Sequence, residues 1–277
     1  MTWQPLSRRT RGMEPDGPYE GVPPHLVSGL VAWLNETLSS GVTVVRGDTV
    51  RSVAMRLRVP LPTYGSDYDC LQALVRHAGT DDDAFLDVVD ATLNVAGAWM
   101  NNHSDLRVLL ASAGSVWTVG HDGESLTRAV STEAQATYEL AVAEEDEASK
   151  ELREAWANAF GRNSNPSAAW SSAIKAVEDT LIPVVVPKKD KANLGSVIGI
   201  LGGQQSAGQW QMVLPGHELT HDVAPLVAML RLLWPNHDRH GGVTPKRAPS
   251  EAEARAVVTL AATIIQWHRQ GWAVQKR

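Results

Sequence analysis

Apolar residues recur at three- and four-residue intervals along most of the chain, the spacing that lines one face of an α-helix. From His25 the pattern runs through Leu26, Leu30, Trp33, Leu34 and Leu38, and Gly41 closes the segment. A second helix is expected to start at Asp48 as its cap, burying Val50, Val53, Ala54 and Leu57 before Pro60 stops it. A third covers Cys70 to Ala78, with Leu71, Leu74 and Val75 inward. The fourth begins among Asp81, Asp82 and Asp83, whose carboxylates suit the positive end of a helix dipole, and buries Phe85, Val88, Val89, Leu93, Ala96 and Trp99. A short helical piece follows over residues 105–113.

The period then changes. Ser115 to Val119, a Gly120-His-Asp-Gly123 turn and Ser125 to Val130 alternate as a β-hairpin does. A lone hairpin is marginal in water, so this one is expected to pack on helices. Ser131 caps a long helix predicted to reach about Phe160, with Tyr138, Ala141, Val142, Ala148, Leu152, Trp156 and Phe160 on one face and Glu144 to Glu147 turned to water. Gly161 to Asn165 is the clearest boundary. Asn165-Pro166 opens the next helix, with Trp170, Ile174, Val177 and Leu181 inward and Pro183 as its stop. Asn193 caps a short helix through Leu201, Gly202 to Gly208 form a loop, and another helix runs from about Asp222 to Trp234. The last opens with a Ser250/Glu253 capping box and buries Val257, Leu260, Ile264 and Trp267.

These elements predict a mostly α protein: two helical-bundle units with one β-hairpin near residues 115–130. Residues 1–24, with five prolines and three glycines, read as an extended N-terminal arm. Residues 25–113 form an N-terminal helical domain, 114–130 a hairpin connector and 131–277 a C-terminal helical domain.

Composition narrows the chemistry. One cysteine among 277 residues excludes a disulfide framework and any zinc site of several thiolates, and Cys70 reads as a small core residue. No apolar run approaches the roughly 18 residues of a membrane span. The first 24 residues lack the apolar core of a secretory leader, so the expected location is the cytoplasm. Charge is unevenly spread: residues 61–160 hold five basic and eighteen acidic side chains, whereas residues 161–277 hold thirteen and eight. An anionic partner is repelled by the middle of the chain and tolerated by its last third. The ten tryptophans read as core rather than as stacking platforms, since Trp33, Trp99, Trp156, Trp170 and Trp267 fall on apolar faces.

Two stretches can carry chemistry. His217-Glu-Leu-Thr-His221 fits H-E-x-x-H, whose two imidazoles chelate zinc from one helix face while the glutamate activates water. Pro215-Gly216 before it and Pro225 after it work against a helix there, and a third ligand would have to come from His237, Asp238 or His240. The second stretch runs from Arg231 to Gly242 and sets Arg231, Asn236, His237, Asp238, Arg239 and His240 between two apolar helices. Side chains that polar resist burial and face a cleft, a partner or water.

The segments Ser167 to Glu178, Lys191 to Gly195, Asp238 to Gly241 and the last apolar helix resemble the C-terminal domain of abortive-infection (Abi-like) proteins, over roughly residues 165–270. Those domains are similar to HEPN domains, small helical bundles, often dimeric, many of them metal-independent ribonucleases of phage defence and toxin systems. In the family an arginine precedes a His-Gly pair by several positions. His240-Gly241 matches that pair, Leu233-Trp234 occupy the expected arginine position, and Arg231 and Arg239 are the nearby arginines. The resemblance implies an RNA partner, a homodimer, no cofactor and no metal. His240 would exchange the proton of the attacking 2′-hydroxyl or the leaving oxygen, Arg239 or Arg231 would offset charge on the phosphoryl oxygens, and Asn236 and Asp238 would orient them. Lys175 and Glu178 read as ordinary surface residues. The alternatives are a non-catalytic helical interaction or assembly module, and a zinc-dependent hydrolase built on His217 to His221.

Overall fold

A computed structural model describes residue 10 and residues 18–40, 44–97, 102–162, 164–203, 208–214, 223–234 and 247–277. Among them the chain is mostly helical, with three small two-stranded antiparallel ribbons. It divides into two compact units, Met1–Ala129 and Val130–Arg277. No described helix is long and apolar enough to cross a membrane.

The first unit contains α1 (Pro24–Thr37), β1 (Ser39–Ser40), β2 (Val44–Val45), α2 (Gly47–Leu57), α3 (Asp67–Ala78), α4 (Asp82–Ala96), α5 (His103–Ser112), β3 (Trp117–Val119) and β4 (Leu126–Arg128). Leu26, Leu30 and Leu34 of α1 meet Val50 and Val53 of α2, Leu71 and Leu74 of α3, Val89 and Leu93 of α4 and Leu106 and Leu110 of α5 in one core. Helix starts follow local polar chemistry. Ser66 and Asp69 form a capping box that begins α3 three residues before Cys70, and Asp81 accepts the Ala84 amide at 2.7 Å to begin α4. Cys70 is buried in the core.

The predicted hairpin is present as β3 and β4, paired Trp117 to Arg128 and Val119 to Leu126. It does pack on helices: Val119 and Leu126 are buried in the first unit's core. Asp90 of α4 accepts the Leu126 amide at 2.6 Å, and Arg107 of α5 donates to the carbonyls of Val119 and Gly120. The end of the N-terminal arm docks on the same hairpin. The Tyr19 amide donates to Gly114, the Glu20 carboxylate pairs with Arg128, and the Trp117 indole donates to the Glu20 carbonyl at 2.8 Å. Two further ribbons, β1–β2 and β5–β6, were not expected; each has two residues per strand, too short for alternation to register.

The second unit contains α6 (Thr132–Ala141), α7 (Glu147–Phe160), α8 (Pro166–Val185), α9 (Leu194–Gly202), β5 (Trp210–Gln211), α10 (Ala224–Leu233), α11 (Glu251–Arg269) and β6 (Gln275–Lys276). Helices α8 and α11 form its centre: α8 packs on α7, α9 and α11, and α11 also touches α6, α7 and α10. The caps expected at Ser131, Asn165, Asn193 and Ser250 are all formed.

Three expectations are corrected here. Asp48 does not cap the second helix: α2 begins at Gly47 after Arg46 with no side-chain cap, so Asp48 lies inside its first turn. The long helix from Ser131 to Phe160 is two helices, broken after Ala141. Asp146 uses its carboxylate to cap α7 through the Ser149 amide at 2.7 Å, and Arg153 donates to the Val142 carbonyl at 3.0 Å. Four consecutive acidic residues supply a cap that competes with continuing the helix. Pro183 does not stop α8, which continues to Val185. A proline there has no N–H for the carbonyl of Asp179 one turn back, so it loosens the ladder without ending the helix.

Candidate functional site

In the sequence, the polar stretch of residues 235–246 lies between α10 and α11. Asn236, Asp238, Arg239 and His240 lie outside the described residues, as do His217 to His221. What the structure describes is the frame from which the stretch departs. Leu226, Val227, Leu230 and Leu233 hold α10 in the core, and Ala254, Val257 and Val258 hold α11. Arg247 pairs with Glu253 just before α11, and that hydrogen bond, with the Ser250 amide, holds the Glu253 carboxyl well below the usual carboxylate range.

Arg231 is exposed on the last turn of α10. Its guanidinium lies at the C-terminal end of α9: a Cβ placed on Gly202 would be 3.7 Å from its Nη2. Unpaired carbonyls at a helix C-terminus favour a cation in that position. One turn later, Trp234 crosses the other end of α9, where a Cβ on Gly195 would sit 3.0 Å from its Cζ2. Glycine is what lets the indole approach that closely.

Two side-chain hydrogen bonds lock this region. The buried Trp170 indole of α8 donates to the Leu233 carbonyl at 2.8 Å, fixing the last turn of α10. Glu178 of α8 accepts the Leu194 amide at 2.7 Å, placing a carboxylate at the N-terminus of α9. Glu178 is therefore tied to the frame, which corrects its expected role as an ordinary surface residue. Lys175, three residues earlier, pairs on the exposed side with Glu151.

A second cluster in the same unit was not anticipated. Glu144, Asp146, Asp179, Thr180, Pro183, His268 and Arg269 line a cleft of about 380 Å³. Both Asp146 oxygens lie 2.8 Å from Arg269 Nη2, which also reaches Ser149 Oγ at 3.1 Å. Burial works against ionising Asp146, but the Ser149 amide and hydroxyl and Arg269 outweigh it and hold the carboxyl below its ordinary value. Burial and the neighbouring carboxylates of Glu151, Glu147 and Asp146 push Asp179 up. Burial, reinforced by the Arg269 charge, pushes His268 down and so favours its neutral imidazole. The cleft thus holds three carboxyl groups around one engaged arginine, an arrangement that repels phosphate. Among the described residues no group of three or more His, Cys, Asp or Glu side chains is arranged to hold a metal ion. The cluster escapes sequence reading because its members come from the α6–α7 turn, mid-α8 and the end of α11. The one local signal is a proline inside a helical pattern.

No family model, no curated protein and no solved structure matches this chain.

Proposed function

We propose that the chain is an abortive-infection-type effector whose second unit is a HEPN-like domain acting on RNA without a metal, through the polar stretch between α10 and α11. One observation supports this reading most. Two of the segments that carry the resemblance, Ser167 to Glu178 and Lys191 to Gly195, lie on different helices, yet both touch α9 or the last turn of α10, where the stretch begins. Trp170 holds the Leu233 carbonyl, Glu178 holds the Leu194 amide, and Gly195 receives Trp234. A catalytic loop needs ends fixed by a rigid support, and α8, α9 and α10 supply one here.

In this reading His240 transfers the proton and Arg231 or Arg239 stabilises the phosphoryl charge, with Asn236 and Asp238 orienting them. Two chains meeting at this stretch form one composite groove, and the protein works as a homodimer in the cytoplasm. The acidic cleft at His268 would repel phosphate, and this reading assigns the RNA to Arg231 and the stretch beyond it.

The test is RNA cleavage by the purified full chain in excess chelator. His240→Ala should abolish cleavage with little change in melting temperature, a stability shift of less than about 0.5 kcal/mol, since in this reading the side chain serves chemistry and takes no part in the core. Of Arg231→Ala and Arg239→Ala, the working partner should lose roughly 100-fold in rate, comparable to removing one oxyanion donor. Negligible effects from all three remove the catalytic reading. Stoichiometric zinc lost on His217→Ala would instead favour the hydrolase.

A further inference from the structure

A basic island lies in the first unit. Residues 44–68 contain four arginines and two acidic residues, whereas the rest of residues 1–129 contain six basic and thirteen acidic ones. The island is the outward face of α2 with the loop that follows it. Val50, Val53 and Ala54 turn α2 into the core, which leaves Arg51, Met55 and Arg56 outward and Arg58 just beyond the end. At 1.5 Å per residue that face is about 10 Å long. Arg51 pairs with Asp48 and with Asp67, the residue beside Tyr68, so the outer face of α2 is continuous with the first turn of α3.

Tyr64 is 92% exposed, Met55 79% and Tyr68 59%. A tyrosine normally buries its ring and exposes only its hydroxyl. Arg51 is neutralised by its aspartates, while among the described residues the side chains of Arg56, Arg58, Tyr64 and Tyr68 make no hydrogen bond, ion pair or ring contact.

Arg58 adds an independent sign. It occupies the left-handed cap of α2, at φ 57°, while the Val59 amide closes the turn on the Ala54 carbonyl at 2.9 Å. Glycine or asparagine is the residue that suits this cap, and the Cβ of any other L-residue carries strain there. Arg58 is thus held in a strained conformation with a charge that has no partner among the described residues, and it is available to an anion from outside the fold.

We propose that the outer face of α2 and the loop to α3 bind single-stranded nucleic acid, with Arg56 and Arg58 on phosphates and Tyr64 and Tyr68 stacked on bases. Unpaired cations beside exposed aromatic rings are the chemistry that recognises an unpaired strand, because phosphates and base faces are both accessible there. An acidic protein segment would use the arginines but not the rings. The proposal stands on the first unit alone and survives if the reading of the second unit fails.

The test is binding of a labelled oligouridylate of about 12 nucleotides, within the site sizes such surfaces take. The full chain carries His240→Ala throughout, so that cleavage, assayed separately on the unaltered chain, does not consume the probe. Adding Arg56→Gln and Arg58→Gln together should lower the slope of log affinity against log salt by about 1.4, at roughly 0.7 per phosphate contact. Tyr64→Ala and Tyr68→Ala should each weaken binding by about 5- to 100-fold, with Tyr64→Phe restoring it. Arg58→Gly should raise the melting temperature by roughly a few degrees while weakening binding, a pair of effects that a structural role cannot produce. No binding by the parent chain, unchanged affinity in these variants, loss in the arginine variants alone, or equal affinity for a duplex would each overturn the proposal.

Discussion

The clamp between Asp146 and Arg269 allows a stability prediction to be worked through. Asp146→Ala removes the α7 cap on the Ser149 amide, worth about 1 kcal/mol. It also strands Arg269, whose side chain is 8% exposed and whose Nη1 already lacks a partner among the described residues. Removing one member of a fully buried pair costs about 3–5 kcal/mol. Asp146 itself remains 43% exposed, and solvent screening there brings this part to roughly 2 kcal/mol. The sum is about 3 kcal/mol, which for a unit of this size lowers its melting temperature by roughly 6–12 °C. Arg269→Met deletes the cation together with its orphaned nitrogen, so it should cost less, about 1–2 kcal/mol. The assay is calorimetric unfolding of the full chain, followed in the transition that carries the second unit. The sign of the pH dependence follows from the depressed acid. Asp146 contributes stability that is complete above its ordinary 3.8 and is lost as the pH falls through its lower folded value. The gap between the parent chain and Asp146→Ala should therefore close in acid. A cost below about 1 kcal/mol at pH 7, or Arg269→Met costing more than Asp146→Ala, refutes the reasoning.

The same cleft makes a second titration test, of opposite sign. Asp179 is pushed up, so its carboxylate destabilises the fold above the raised value, and Asp179→Asn should stabilise at pH 7 by up to about 0.5 kcal/mol, with no gain below 3.8. His268, pushed down from 6.5, contributes stability that is complete above 6.5 and lost as the pH falls through its folded value; His268→Asn should flatten that slope in a pH series of urea melts. Trp170→Phe leaves the Leu233 carbonyl without its donor in the core and should cost about 1–3 kcal/mol in urea unfolding. If the polar stretch is catalytic, the same change should also slow RNA cleavage, because the last turn of α10 is no longer pinned.

Helix identity was legible in the sequence wherever a stripe of large apolar residues coincided with a polar cap. Asp81, Ser131, Asn165, Asn193 and Ser250 each mark a start that the structure keeps, because a cap is a contact between residues three apart and depends on nothing distant. The hairpin was legible for the same reason, since alternation and a Gly-rich turn are local. The break at residues 142–146 was not. Apolar spacing continues through it, and what interrupts the helix is a competition won by the Asp146 cap and by Arg153, reinforced by Arg269 some 120 residues away.

Of the candidate site, the sequence determined which residue types are available: a His-Gly pair, two arginines and a polar stretch between apolar helices. It could not assign Glu178, because a glutamate on a helix reads as solvated until a second helix presents an unpaired amide to it. Nor could it find the cleft at His268, whose shifted groups owe their state to burial and to carboxylates on other helices. Periodicity reports which side of an element faces inward. Which elements then share an inside, and which charges they bring together, is decided by tertiary packing alone.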